Sequence, residues 1–90
     1  MPEKNEAPEE AIGTVTHWFG HISVAGIRLT APLKVGDRIR IKGHTTDLVE
    51  TVNSMEIDHK KVEVGKPGDD VALAVEGRVH EHDRIYREAE

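Results

Sequence analysis

The sequence predicts an all-β fold, a small closed antiparallel β-barrel of six to seven strands with Greek-key-like connections. Two observations predict it. First, one design occurs twice: Lys34-Val35-Gly36-Asp37 runs into Arg38-Ile39-Arg40-Ile41, and Lys66-Pro67-Gly68-Asp69 into Asp70-Val71-Ala72-Leu73-Ala74-Val75. Each joins a glycine, which tolerates the positive φ of a tight turn, to an aspartate able to bond its own backbone. Each then launches a strand with apolar residues at every second position. Glu81-His82-Asp83 before Arg84-Ile85-Tyr86 is an imperfect third copy, with His82 in the glycine position. Second, the remaining segments are short and rich in β-branched residues, as in small closed barrels.

The elements follow in chain order. Residues 1–11 hold Pro2, Pro8 and four glutamates and are expected to form a disordered acidic tail, with 88–90 a second short tail and the barrel domain over 12–87. Ile12 to Phe19 is the first strand, with Ile12, Thr14, Thr16 and Trp18 on one face and Val15, His17 and Phe19 on the other. Ile22 to Thr30 is the second, and Gly26 in its middle signals a bulge or sharp curvature. Ala31-Pro32 marks an edge. Arg38 to Lys42 puts Ile39 and Ile41 inward and Arg38, Arg40 and Lys42 outward. In Thr45 to Ile57 the alternation slips, because Val49, Val52, Met55 and Ile57 do not share one parity. Its β-branched content favours a strand carrying a bulge over a helix. Val62 to Val64 reads as a short edge strand, Val71 to Val75 as a buried one, and Gly77 to Tyr86 as the closing pair.

Composition narrows the function classes. A chain of 90 residues is one domain at most, and at this size it buries only about 60% of its unfolded surface. Cysteine is absent, so there is neither a disulfide, a thiolate metal site nor a thiol nucleophile. No apolar run approaches the roughly 20 residues needed to cross a bilayer, and a soluble cytoplasmic protein with no membrane role is expected. The net charge of −5 resides in the tails: residues 1–11 contribute −3 and 88–90 contribute −2, leaving eleven acids and eleven bases over 12–87. A strong non-specific nucleic-acid binder would carry a basic surplus. Any nucleic-acid contact is therefore expected to be local and shaped.

Leu33-Lys34-Val35-Gly36-Asp37, then Ile39 and Ile41, a strand ending Met55-Glu56-Ile57, and Gly68-Asp69-Asp70-Val71-Ala72-Leu73 together resemble domain 2 of the elongation factor Tu group of translational GTPases. The resemblance is closer to stand-alone elongation-factor-like proteins, where an opening like Ile12-Gly13-Thr14-Val15-Thr16-His17-Trp18-Phe19 and an ending like Asp83-Arg84-Ile85-Tyr86 are typical. A related barrel occurs at the C-terminus of some U32-type peptidases. The match covers about residues 12–87. It implies a translation-factor domain 2-like barrel and a non-enzymatic module that binds a tRNA 3′ end, the ribosome or a translation protein. No phosphate-binding loop of the Gly-x-x-x-x-Gly-Lys-Ser/Thr type is present, so GTP binding is not expected.

By the same resemblance Glu56 matches the glutamate that packs against the terminal adenosine, Asp58 and His59 match polar positions near the aminoacyl group, and Asp70 stands where the family has asparagine. The expected ligand site is thus Glu56, Asp58, His59 and Asp70. Arg38, Arg40 and Lys42 offer phosphate or acidic-partner contacts, against the commoner reading of a polar outward face.

The competing chemistries are weaker. His80 and His82, two apart, would face one side of a strand and suit two metal ligands, but nothing frames a third; a solvated turn is the plainer reading, and no metal or cofactor is expected. His17 and His21 read as packing and polar rim. Ser23 and Ser54 lack nucleophile-elbow context, so no catalytic residue is assigned. Trp18, Phe19 and Tyr86 are the only aromatics and read as core residues rather than a stacking platform. A second function remains open, a protein-interaction adaptor that has kept the fold and lost the RNA pocket.

Overall fold

Ten short strands and no helix make up residues 11–88, the part of the chain that the computed structural model describes. They are β1 (Ala11–Phe19), β2 (Val24–Leu29), β3 (Leu33–Lys34), β4 (Arg38–Lys42), β5 (Asp47–Thr51), β6 (Met55–Ile57), β7 (Lys60–Lys61), β8 (Val64–Gly65), β9 (Asp70–Ala74) and β10 (Arg84–Arg87). Eight join one antiparallel sheet in the order β5-β4-β10-β1-β2-β9-β6-β7, and β3 pairs with β8 in a second. The all-β antiparallel class holds. The expected closed barrel of six to seven strands does not, because β5 and β7 end the large sheet and no ladder joins them among the described residues.

Alternation decides which face is covered. Ala25, Ile27 and Leu29 of β2, Ile39 and Ile41 of β4, Val71 and Leu73 of β9 and Ile85 of β10 are buried on one face. The short β3–β8 pair lies against that face. A Cβ placed on Gly65 would come within 2.6 Å of Leu29 Cδ1 and 3.7 Å of Met55 Sδ. Burial of this kind contributes about 25 cal/mol per Å² of apolar surface, and the long-range strand pairing collects it from the whole chain.

The three Gly-Asp-type turns are one device used three times. In each, the amide of the first residue donates to the aspartate three positions on: Lys34 to Asp37 at 3.0 Å, Lys66 to Asp69 at 2.9 Å and His80 to Asp83 at 2.8 Å. The aspartate amide returns a bond to the first carbonyl in every copy, at 3.1, 2.9 and 3.1 Å. Each turn also brackets one buried residue of a neighbouring segment. Gly36 N–H donates to Val52 O and Val52 N–H to Asp37 O; Gly68 and Asp69 hold Leu29 in the same way, and His82 and Asp83 hold Val15. Every backbone polar group in the bracket is thereby satisfied beside the core.

The third residue of each turn sits at positive φ: 100° for Gly36, 92° for Gly68 and 78° for His82. A left-handed non-glycine residue costs about 1–2 kcal/mol, partly offset because glycine loses about 0.5–1 kcal/mol more chain entropy. His82→Gly is therefore expected to stabilise the fold by about 1 kcal/mol, raising the thermal midpoint by roughly 4–8 °C. A calorimetric scan showing a lowered midpoint would refute the strain argument.

Several expected segments are corrected. Thr45 to Ile57 is not one bulged strand: β5 lies at one end of the sheet and β6 next to last at the other. The break follows from Val52, which leaves β5 to be clamped by the first turn. The second strand begins at Val24 rather than Ile22, after a four-residue turn over 20–23 closed by Ser23 at φ 55°. Val62 to Val64 is replaced by β7 and β8, and the closing pair over 77–86 reduces to β10. His80 and His82 consequently lie in a turn, not on a strand, and the same-side premise of a histidine metal pair fails. The expected tails at 1–11 and 88–90 fall outside the described residues except at Ala11, which opens β1, and Glu88, whose amide donates to Arg38 O at 2.9 Å. Among the described residues no helix is long and apolar enough to cross a membrane.

A candidate ligand groove

The faces of β1 are not the ones simple alternation assigns. The β1–β2 register slips between Val15 and His17, so Thr16 is an extra residue opposite Gly26. The slip inverts the parity downstream. Val15 and Trp18 both turn toward the core, whereas His17 and Phe19 turn outward. Phe19 is 45% exposed and Ile22, in the turn beyond it, 66% exposed. Phe19 is thus not the core residue expected of it. Gly26 in mid-strand was the available signal, since its Cβ position lies only 3.4 Å from Thr16 Oγ1.

Across the outer face the register aligns His17 with Gly26, Gly26 with Ala72, Ala72 with Glu56, and Glu56 with Lys61. Two minimal side chains, Gly26 and Ala72, therefore lie between an aromatic wall and an acidic one. The result is a groove in two adjoining halves of about 290 and 280 Å³, both lined by Phe19, Glu56, His59 and Ala72. Ile22 and Val24 extend the apolar wall in the first half. The His17 ring stacks obliquely on Phe19, with centroids 4.4 Å apart.

All four residues expected in the ligand site border this groove. Glu56 comes from β6, Asp70 from the start of β9, and Asp58 and His59 from the connection between β6 and β7. That connection is a two-residue hairpin in which Asp58 and His59 both have positive φ, 54° and 67°. Two such residues in succession are the signature of a type I′ turn, usually filled by Asn-Gly or Asp-Gly. A histidine in the second position carries backbone strain of the kind that concentrates at functional sites.

Asp70 is less available than the sequence implies. Arg28, opposite it on β2, donates to it through Nε and also through Nη2, the latter at 3.3 Å. This hydrogen bond, against desolvation and helped by the charge of Arg28, holds the Asp70 carboxyl below the usual carboxylate range. Glu56 and Asp58, by contrast, make no ion pair among the described residues, and Glu56 is the acid that borders both halves of the groove.

Arg38, Arg40 and Lys42 lie on β4, separated from the groove's β1 wall by β10. Arg40 grips Asp47 at 2.9 and 3.1 Å, and Arg38 donates to Thr51 Oγ1 at 3.4 Å. The Arg40 hydrogen bond keeps the Asp47 carboxyl low in the same manner. Of the histidines, His80 Nδ1 is 2.9 Å from the buried Thr46 hydroxyl, and His17 is 3.6 Å from Glu81. Among the described residues no group of three or more side chains is arranged to hold a metal ion.

The fold matches structures already solved. It matches the C-terminal domain of a Geobacillus thermoleovorans protein assigned as a U32 peptidase, with a TM-score of 0.82, 12% identity, and coverage of 87% of this chain and 91% of that one. The selenomethionine variant of that domain gives 0.83, with 99% of its chain covered. In sequence, the chain is 46% identical over 76 residues to an uncharacterized protease of Methanocaldococcus jannaschii. The match takes in 83% of this chain but spans only 19% of that relative's length. No protein-family model matches the chain.

These relatives overturn the elongation-factor resemblance. The reading of a translation module for a tRNA end, the ribosome or a translation protein goes with it, and so does the rival reading of an adaptor derived from such a module. The physical reason lies in the motifs that carried it. Lys-x-Gly-Asp followed by alternating apolar residues encodes a turn that clamps a neighbouring core residue, and such a turn serves any barrel-like fold whatever its ligand.

Proposed function

We propose that this chain is a non-catalytic accessory domain of U32 peptidase type that engages a short peptide segment in the groove between Phe19 and Glu56. The observation that carries the reading is the 46% identity to one part of a protease-named protein, four-fifths of which lies outside the match. The groove supplies the chemistry. Phe19, Ile22 and Val24 form an apolar wall for a side chain, Ala72 leaves the floor clear, and Glu56 opposite accepts from an amine or guanidinium. The fitting ligand is an apolar residue next to a basic one. Ser54, Glu56 and His59 share the lining, but among the described residues no hydrogen bond joins Ser54 to His59. That contact is what a nucleophile and its base require. A cytoplasmic setting belongs to the same proposal.

The test is a titration of the labelled chain with an N-acetylated Leu-Lys peptide, with Leu-Glu as the control. Saturable amide shifts are expected at Phe19, Ile22, Glu56 and Ala72, with the peptide recovered intact. Ala72→Leu, which fills the floor, should abolish them, and Glu56→Gln should weaken binding of the lysine peptide about tenfold. Cleavage of the peptide, or no shift at millimolar concentration, would overturn the reading.

A further inference from the structure

A second depression lies on the outer face away from the groove, about 340 Å³ in volume and lined by Lys42, Gly43, His82, Arg84 and Tyr86. Its make-up is unusual for a sheet surface. Lys42 and Arg84 are directly opposite each other on β4 and β10, and like charges in that position repel. Among the described residues no carboxylate forms an ion pair with Arg84 or Lys42. Asp47, across from Lys42 on β5, gives both oxygens to Arg40 and feels the charge of Lys42 without pairing with it, which leaves Arg84 the cation with no carboxylate near it among the described residues. Asp83, buried beneath Gly43, gives Oδ2 to the His80 amide and sets Oδ1 against Gly43, but it does not itself line the depression. His82 reaches the same rim from a left-handed backbone that glycine would adopt more readily. The Tyr86 phenol adds a neutral donor.

We propose that this depression binds a single phosphate-class oxyanion. A tetrahedral anion accepts at once from the fork of Arg84, the point charge of Lys42 and neighbouring donors, and it removes the repulsion between the two cations. The charge balance favours one anionic group over a polyanion, since residues 12–87 are electrically neutral and the cations are gathered locally. The site is independent of the peptide groove, and either can fail without the other.

The experiment titrates the full labelled chain with inorganic phosphate in low-salt buffer, and separately with sodium chloride at matched ionic strength. Saturable shifts confined to the amides of Lys42, Gly43, His82 and Arg84 are expected with phosphate only. Arg84→Gln and Lys42→Gln, both changes at exposed outward positions, should each weaken binding about tenfold, whereas Arg38→Gln should not. Glycerol phosphate and a phosphoserine peptide then distinguish a free ion from an esterified group, and binding of either supports the site. Equal shifts with chloride would overturn it. So would a response to single-stranded RNA alone, which would replace one anion site with an extended polyanion surface.

Discussion

Gly43→Ala is expected to destabilise the protein by about 3 kcal/mol or more. A Cβ there would fall 1.8 Å from Asp83 Oδ1 and 2.5 Å from its Cγ, far inside van der Waals contact. The aspartate cannot move aside cheaply. It is 4% exposed, it accepts the His80 amide at 2.8 Å, and its own backbone brackets Val15. Displacing it opens the third turn and leaves buried amides unpaired. A domain of this size has total stability on the order of 5–10 kcal/mol, so the variant should lose a large share of it. Gly36→Ala is the control. Nothing lies within 4 Å of its Cβ position, and only the φ of 100° resists, at about 1 kcal/mol. Urea unfolding of both variants should rank them in that order. A Gly43→Ala midpoint equal to that of Gly36→Ala would show that Asp83 is not held as described.

Ile85→Ala should cost about 2–5 kcal/mol. Ile85 is fully buried on β10, the strand that joins β4 to β1, and it faces Ile41 across one ladder and Gly13 across the other. The cavity would open at the middle of the sheet, where neither neighbour can collapse without breaking register. Val64→Ala, at a side chain 50% exposed on β8, should change stability by no more than about 0.5 kcal/mol. Equal losses at the two sites, measured by thermal or urea unfolding, would place the core elsewhere.

Much of the fold was legible because its signals are local. Gly36 and Gly68 announce their turns, Ile39 and Ile41 announce an inward face, and His82 could be placed in the glycine position by analogy; all three turns share hydrogen bonding and φ sign. Local patterning fails where a distant partner decides. Thr16 is a bulge only because Gly26 lies opposite, and Val52 leaves its strand only because the first turn captures it. The groove shows both sides of this. A resemblance that misassigns the family points to Glu56, Asp58, His59 and Asp70, and all four border one groove. Its apolar wall, Phe19 and Ile22, was missed, because alternation without the bulge assigns Phe19 to the wrong face.

The sequence by itself determined the all-β class, the three turns that start strands β4, β9 and β10, and the neutral charge of the folded part. The class and the turns depend on residues within about four positions of one another, where turn chemistry and side-chain alternation act, and the charge is a sum that needs no structure. Only the tertiary structure decided that the large sheet ends at β5 and β7, that Asp70 is held by Arg28, and that Lys42 stands directly opposite Arg84. Those outcomes are set by register between strands far apart in the chain, and shifting a register by one residue exchanges every inward side chain for an outward one.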